Sequence, residues 1–446
     1  MTADTDIDKI LQQFKPFGVN LGLQRIQRLL ADLDNPQEKV PFIHVAGTNG
    51  KGSVCAYLSA ILTEAGYRVG RYTSPHLIDW TECIYFNELP IAREELSGVL
   101  QQVKAAIDPQ APCPTEFEVM TAAAWLYFAQ QQVDVAVIEV GLGGRLDATN
   151  ACDRPLVAIV TSISWEHWQQ LGPTLADIAA EKAGILKPGC PAICGPLPEE
   201  AETVVNQRIA ELGCPAMFPE AAEMIRPPET PPETRFLGET GFLSPPGFLQ
   251  WAISQDIQYP LPLLGEIQLT NSALAIAAVQ QLRSQGWQIS DRQIAQGMAK
   301  TRWPGRLQWV NWTNDGVKTR LLIDGAHNAA AAKLLRQYVE TLSPQPINWV
   351  MGMLSTKDHI GVFQALLRPG DRLYLVPVPN PRSAQPEDLA AIARQVCPEL
   401  SEVRCDPDLA IALGHSTASG DRLTILCGSL YLLGYFFRTQ LKSVDS

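Results

Sequence analysis

The residues with the clearest chemical purpose lie in PFIHVAGTNGKGS, positions 41 to 53, where an apolar run leads into a glycine-rich loop. Gly47, Gly50 and Gly52 let backbone N–H groups turn inward with no Cβ in the way. Lys51 adds a point charge, Ser53 a hydroxyl for Mg²⁺, and the helix that follows a partial positive charge at its N-terminus. Such a loop cradles the phosphates of a nucleotide. Its spacing departs from the common GxxxxGK[ST] form, because Val45 stands where the first glycine would be and Gly52 separates the lysine from the serine. The flanks agree with a strand-loop-helix reading. Ile43 and Val45 alternate as in a strand, while Val54, Tyr57, Leu58, Ile61, Leu62 and Ala65 recur at helical spacing up to Gly66.

Other chemistry-bearing residues sit at the ends of apolar runs. VDVAVIEVGLGGRLDATN, positions 133 to 150, ends its run in Glu139 just before a glycine turn. The carboxylate either ligates a Mg²⁺ that neutralises nucleotide charge, or pairs with Arg145 or caps the turn. Asp147 in the same turn either caps a helix or accepts hydrogen bonds from a substrate ring. TSPHL places Ser74 at a strand end, as a hard oxygen ligand or an ordinary Ser-Pro turn. TSISWEHWQQLGPTLADIAAEKAGILKPG carries His167 beyond another strand end and Lys182 in a helix that stops near Gly184. Taken singly, His167 reads as a packed histidine and Lys182 as a solvated helix residue. PGRL puts Arg306 at a hinge-like segment, facing phosphates or in a surface ion pair, and LLIDGAHN puts Asp324, His327 and Asn328 at a later strand tip.

These positions must be held by an alternation of strands and helices. From residue 40 to about 195, strand runs (PFIHVA, YRVGRYT, VDVAVIEV, PLVAIVTSI) alternate with helical patterns near 93 to 107 and 117 to 131, which implies a mostly parallel sheet with ligands at the carboxyl ends of its strands. Prolines from 227 to 262 predict loop and short antiparallel strands, and a helix follows over about 271 to 285. RLLID, INWVMG, RLYLVPV and RLTILCG then repeat the pattern. The expected fold is α/β: a P-loop-type, mostly parallel sheet domain over 1–298, followed by a smaller Rossmann-like α/β domain over 299–446. The chain of 446 residues has 46% hydrophobic and 18% charged residues and a formal charge of -12, an ordinary globular composition. Clustered Lys and Arg are lacking, which argues against a nucleic-acid surface. No apolar stretch is long enough to span a bilayer comfortably, since the run from Leu423 is broken by Gly428 and Gly434. Ten scattered cysteines without a CxxC pair and a polar, acidic N-terminus point to reduced thiols and a cytoplasmic location.

Together, GTNGKGS, TSPHL, EVGLGGRLDATN, SISWEHWQQLG, EKAGI, PGRL and DGAHN resemble the folylpolyglutamate synthase and dihydrofolate synthase family, a branch of the Mur-ligase-like ATP-dependent amide ligases. The match runs in order from about residue 20 to 435. The resemblance implies that Thr48, Asn49, Gly50, Lys51, Gly52 and Ser53 contact ATP phosphates, with Asn271, Arg306 and Asp324 holding the nucleotide from later in the chain. It implies that Ser74 and Glu139 ligate one Mg²⁺, and Glu139 with His167 a second. Lys182 matches the lysine that is carbamylated in the family, which reverses its bland reading, so the catalytic set becomes Lys51, Lys182 and His167. Thr115, Glu116, Phe117 and Glu118, with Leu146, Asp147 and Ala148, match the pteroate-binding positions of bifunctional members. Two departures stand out: Glu166 replaces the usual aspartate before the metal histidine, and LTNSALAIAA varies the usual asparagine-led helix start. The implied activity is ATP-dependent addition of L-glutamate to dihydropteroate and to the γ-carboxylate of reduced folates, through an acyl phosphate, by a monomer. A monofunctional folylpolyglutamate synthase and a non-catalytic nucleotide-binding regulator are the alternatives, and retention of Glu139, His167 and Lys182 together speaks against the regulator.

Overall fold

A run that is buried along its whole length, rather than on alternate residues, belongs at the centre of a sheet covered on both faces. Phe42–Ala46 (β1) and Val135–Glu139 (β5) are of this kind, with every residue buried. In the computed structural model, which describes residues 6–15, 20–227, 250–314, 316–343, 346–418, 420 and 422–441, they lie side by side. The other strands of this sheet are Val69–Tyr72 (β2), Ile84–Phe86 (β3), Leu89–Pro90 (β4), Val157–Val160 (β6), Ala192–Cys194 (β7) and Ala216–Met217 (β8). Their order is β4-β3-β2-β5-β1-β6-β7-β8. The pairs from β2 through β8 are parallel, and only β3 and β4 add antiparallel edges.

Register brings four strand ends to one edge. Val45 lies opposite Glu139, Ala46 opposite Val160, and Tyr72 opposite Ile138. The segments leaving β1, β2, β5 and β6 therefore emerge together, and the period of two in a strand makes a one-residue slip disruptive.

The helix Lys51–Glu64 follows β1 directly and buries all but its ends, and the helix Glu116–Gln130 buries Trp125 and Phe128. Between 219 and 265 the described chain forms the expected short antiparallel strands, Glu223–Ile225 (β9), Gln250–Ser254 (β10) and Ile257–Leu261 (β11), in the order β11-β10-β9. Pro228, Pro231, Pro232, Pro245 and Pro246 lie outside the described residues. The next helix, Ile267–Ser284, starts a turn earlier than the spacing suggests, just after Gly265 at φ +98°. Asn271 thus stands inside the helix, not at its start.

By packing, the chain forms two compact units. Unit 1 holds the described residues up to Thr301 apart from Pro262–Ile267, and unit 2 holds Pro262–Ile267 with the described residues from Arg302 onward. In unit 2 the strands are Gln308–Asn314 (β12), Val317–Ile323 (β13), Asn348–Met351 (β14), Arg372–Leu375 (β15), Glu402–Cys405 (β16) and Thr424–Cys427 (β17). Their order is β12-β13-β17-β14-β15-β16, parallel except for the β12-β13 hairpin. Trp349 and Phe363 fill the core beneath the covering helices. The late apolar run resolves into β17 and the helix Leu430–Thr439, and among the described residues no helix is long and apolar enough to cross a membrane.

The helix Asp291–Lys300 braces the helix Lys51–Glu64 at its closest through Gly297, where an added Cβ would lie 2.5 Å from Ile61 Cα and 2.8 Å from Ala60 O. Backbone atoms cannot step aside. Gly297→Ala is expected to destabilise unit 1 by about 1–3 kcal/mol in chemical denaturation. Gly98→Ala, on a helix with nothing within 4 Å of the new methyl, should be neutral or stabilising. Equal effects of the two would contradict the packing described.

Candidate active site

The glycine-rich loop is held from the neighbouring strand end. Thr48 N donates to Ser162 O at 2.7 Å and Asn49 N to Ser162 Oγ at 3.1 Å. Thr161 Oγ1 and Ser162 Oγ both donate to Asn49 O, at 2.7 and 3.0 Å. Ser164 N donates to Thr48 Oγ1 at 3.0 Å. Two glycines are required by this arrangement. Gly47 (φ +146°) would place a Cβ 2.0 Å from Thr161 Oγ1, and Gly50 (φ +91°) would place one 2.4 Å from Asn271 Oδ1. Asn271 therefore lies against the loop. Spacing alone missed Gln268, one turn before it on the same face. Gln268 Nε2 donates to Ser53 Oγ at 3.4 Å, and its Oε1 accepts from Asn271 Nδ2 at 3.1 Å and Tyr57 OH at 3.3 Å. The i, i+3 spacing of Gln268 and Asn271, two amides on one face of a helix, was the available signal.

Two ammonium groups converge on the loop. Lys51 Nζ donates to Gly47 O at 3.0 Å and Thr48 O at 3.1 Å, and Lys182 Nζ donates to Gly47 O at 2.8 Å. Lys182 is buried, not solvated. Burial first, and the charge of Lys51 second, pull it down to about 7, against the opposing pull of Glu166 and Asp147. Near neutral pH a large fraction is free amine, the nucleophilic form. Its helix, Leu175–Ala183, is fixed at the start by a Thr174–Asp177 capping box and along its end by the GLGGRLDATN turn. Arg145 pairs with Glu181 at 2.6 Å, and Asn150 Nδ2 donates to Arg145 O and Gly184 O at 3.0 and 3.1 Å.

Arg145 is thus committed to Glu181, and Glu139 takes a different place. Its Oε2 accepts from Ser74 N at 3.2 Å, so the two residues expected to share a metal are neighbours. Glu139 and Lys51 both act on the thiol of Cys55 in the loop helix, where burial and Glu139 push the thiol up and Arg71 and then Lys51 oppose them. His167, at φ +53°, precedes the short helix Trp168–Leu171 with its side chain 45% exposed and its Nε2 3.8 Å from Glu166 Oε1. Among the described residues no three His, Cys, Asp or Glu side chains gather as a metal cluster. Mg²⁺ carried on a nucleotide needs only one or two protein carboxylates, the rest of its shell being phosphate oxygens and water. A buried carboxylate beside a serine at the phosphate-loop edge fits that requirement.

The expected acceptor residues cluster at the turn after β5. Phe117 packs on Gly141, where a Cβ would lie 2.4 Å from Phe117 Cζ, and Asp147 Oδ2 accepts from Leu142 N at 2.8 Å. Asp147 also caps the short turn Ala148–Asn150, with Oδ1 accepting from Thr149 N at 3.0 Å and Thr149 Oγ1 at 2.6 Å. Burial pushes its carboxyl up and these hydrogen bonds pull it back. The carbonyl of Leu146 accepts from Gly22 N, and Ala148 is buried. Thr115 and Glu118 form a capping box on the helix Glu116–Gln130, and Arg25, which the sequence did not flag, pairs with Glu118 at 3.1 Å. Glu116 is half-buried, and burial raises its carboxyl.

Within unit 2, Asp324 Oδ2 accepts from Leu307 N and Oδ1 from Ala326 N, at 2.9 and 2.8 Å. Burial pushes this carboxyl up, and Arg306 pulls it down. Arg306 lies close against Gly325, whose Cβ would fall 2.1 Å from a guanidinium nitrogen, and His327 Nδ1 is 2.8 Å from Gly325 O. Asn328 caps the helix Ala329–Leu342 through Ala331 N.

Two family profiles match the chain: one described as Mur ligase middle domain over residues 45–192, and one described as dihydrofolate synthetase, C-terminal domain over residues 308–439. The dihydrofolate synthase/folylpolyglutamate synthase of Bacillus subtilis is 33% identical over 434 residues, 96% of each chain. The structure of Escherichia coli FolC in complex with DHPP and ADP superposes with a TM-score of 0.78 at 29% identity, covering 96% of this chain and 95% of that one. That of a bifunctional folylpolyglutamate synthase/dihydrofolate synthase with Mn, AMPPNP and L-glutamate bound gives 0.79 at 30% identity, covering 98% of each.

Lys182 also sets a pH dependence of stability. Its folded value, about 7, lies below the ordinary 10.5, so between those limits the unfolded chain holds a proton that the folded chain lacks. Stability therefore rises with pH across that window, and the folded state is penalised in full below it. From about pH 7 to about pH 9, wild type should gain on the order of 2 kcal/mol over Lys182→Met in urea denaturation. Parallel pH profiles for the two proteins would show that Lys182 titrates normally.

Proposed function

As the chain belongs to the dihydrofolate synthase/folylpolyglutamate synthase family, we propose that it is the bifunctional ligase: it joins L-glutamate to dihydropteroate and to the γ-carboxylate of reduced folates, using ATP. The observation that carries this reading is the meeting of Lys51, Lys182 and Glu139 at one sheet edge, with Asp147 and Phe117 at the turn beside it.

A carboxylate is a poor acyl donor because its leaving group would be oxide. Phosphorylation by ATP turns that oxygen into phosphate, and the amine of glutamate then attacks the acyl phosphate through a tetrahedral intermediate. Lys51 Nζ donates only to the carbonyl oxygens of Gly47 and Thr48, and so is available to the oxygens of the transferred phosphoryl group. Thr48, Asn49, Gly50, Gly52 and Ser53 supply the cradle, with Asn271 over Gly50. We also assign Arg306 and Asp324 to nucleotide binding.

A divalent metal, when bound, counters the charge that spreads over the phosphates. Ser74 and Glu139 would hold one ion, and Glu139 with His167 a second. Lys182, as a free amine in a buried site, is the group that carbon dioxide would convert to a carbamate, giving an acid-like neighbour for the metals. On the acceptor side, Asp147 offers a carboxylate to the donor edge of a pterin ring, Phe117 a flat apolar wall, and Thr115, Glu116, Glu118, Leu146 and Ala148 the surrounding shape. We assign 1–298 to ATP binding and 299–446 to the glutamate-ligase half, and place the enzyme in the cytoplasm as a monomer.

Purified protein with ATP, Mg²⁺, L-glutamate and either dihydropteroate or a reduced folate should release ADP with both acceptors. No release with either defeats the ligase reading, and release with the folate alone defeats the bifunctional one. Lys51→Ala and Glu139→Ala should each lower kcat by about 10²–10³-fold or more with an unchanged melting temperature. Wild-type rates in either variant would contradict the assigned roles.

A further inference from the structure

His44 occupies the middle of the central strand β1, wholly buried, in a position where an apolar residue would cost nothing in solvation. Its Nε2 is 2.9 Å from Thr149 Oγ1, and Thr149 Oγ1 is 2.6 Å from Asp147 Oδ1. The direction of this chain of bonds is fixed from its far end. Asp147 already accepts main-chain N–H bonds from Leu142 and Thr149, as an ionised carboxylate does, so the Thr149 hydroxyl donates to it. That hydroxyl must then accept from His44, which places the imidazole proton on Nε2. The other ring nitrogen, Nδ1, has no hydrogen-bond partner, in keeping with a bare lone pair there.

We propose that His44 is a positioning residue for the acceptor: through the Thr149 hydroxyl it fixes the rotamer of Asp147, and with it the face that the carboxylate presents to the amino and ring N–H donors of a pterin. The proposal rests on the assignment of Asp147 to the acceptor. Burial holds the imidazole down at about 3, so it serves as a neutral donor throughout the working pH range. Without that donor the Thr149 hydroxyl oxygen is left buried with no donor on its other side, so the hydroxyl that bonds Asp147 is held less firmly in place. The expected loss falls on acceptor binding, because the phosphate loop leaves β1 on the far side of Val45 and Ala46 and is held by the 161–164 segment instead.

The test compares Thr149→Val, Thr149→Ser, His44→Met and His44→Gln in steady-state assays, varying dihydropteroate at saturating ATP and then ATP at saturating dihydropteroate. Thr149→Val and His44→Met should raise KM for dihydropteroate about three- to tenfold while KM for ATP stays within about twofold, the size of one lost hydrogen bond. Serine and glutamine, which keep the donors, should restore most of the affinity, and the Val/Met double variant should be no worse than the weaker single one. A common rise in both KM values, or no rise in any variant, overturns the proposal. Should His44→Met fail to fold, the Thr149 pair reads the same contact. Imidazole ¹⁵N shifts in the wild-type protein give a variant-free check: a proton on Nε2 is expected, and one on Nδ1 overturns the relay. Wild-type protein that turns over reduced folates but ignores dihydropteroate defeats the acceptor assignment; wild-type turnover of dihydropteroate with flat KM values defeats the relay alone.

Discussion

One carbonyl oxygen, that of Gly47, receives hydrogen bonds from two lysine ammonium groups, Lys51 and Lys182. Two like charges this close repel by several kcal/mol at the effective dielectric of a protein interior, roughly 20. Relief comes in two ways. Lys182, the more buried of the pair, gives up its proton easily, and an anion brought to the loop would satisfy whatever positive charge remains. A turn under this electrostatic tension, in a chain with a formal charge of -12, suits the polyphosphate we propose for it.

The sheet exists, in functional terms, to bring the opposing charge within reach of that turn. Glu139 ends β5 opposite Val45 of β1, so the parallel register alone puts a carboxylate beside the phosphate loop. Ser74 follows β2 on the other flank of β5, and Thr161 to Ser164 follow β6 on the other flank of β1. The turn between Gly141 and Asn150 has a double duty. It is fastened to the helix of Lys182 through Arg145 and Asn150, and it carries Asp147, the carboxylate we propose for the acceptor. Movement of that turn would disturb Lys182 and Asp147 together.

Much of this was legible in the sequence because strand ends and glycine turns leave local marks. The loop, the strand-helix alternation, the tip positions of Ser74 and Glu139 and the apolar run that became β17 and its helix all follow from periodicity and punctuation. Lys182 shows where such marks end: flanked by Glu181 and Ala183 it reads as a surface residue, and only tertiary packing buries it. The early start of the helix Ile267–Ser284 was hidden because Ile267 to Thr270 carry no capping signal, and Gly265 rather than Asn271 sets the boundary. Gln268, Arg25 and the β7 and β8 strands were missed for a related reason. The first two matter through partners more than 90 residues away in sequence, and the strands are three and two residues long, too short to show a period. His44 carries no mark in the sequence that separates it from the apolar run around it, and its link to Thr149 appears once β1 and the turn are folded together.

The central claim is that the terminal phosphates of ATP settle at the Lys51 turn, with a divalent ion linking them to Glu139. Calorimetric titration of folded protein with a non-hydrolysable ATP analogue, with Mg²⁺ and then with a chelator, tests it most directly. Saturable binding that needs the metal is the expected result. The same heats with and without Mg²⁺, or no heat at all from protein that still melts cooperatively, would contradict it.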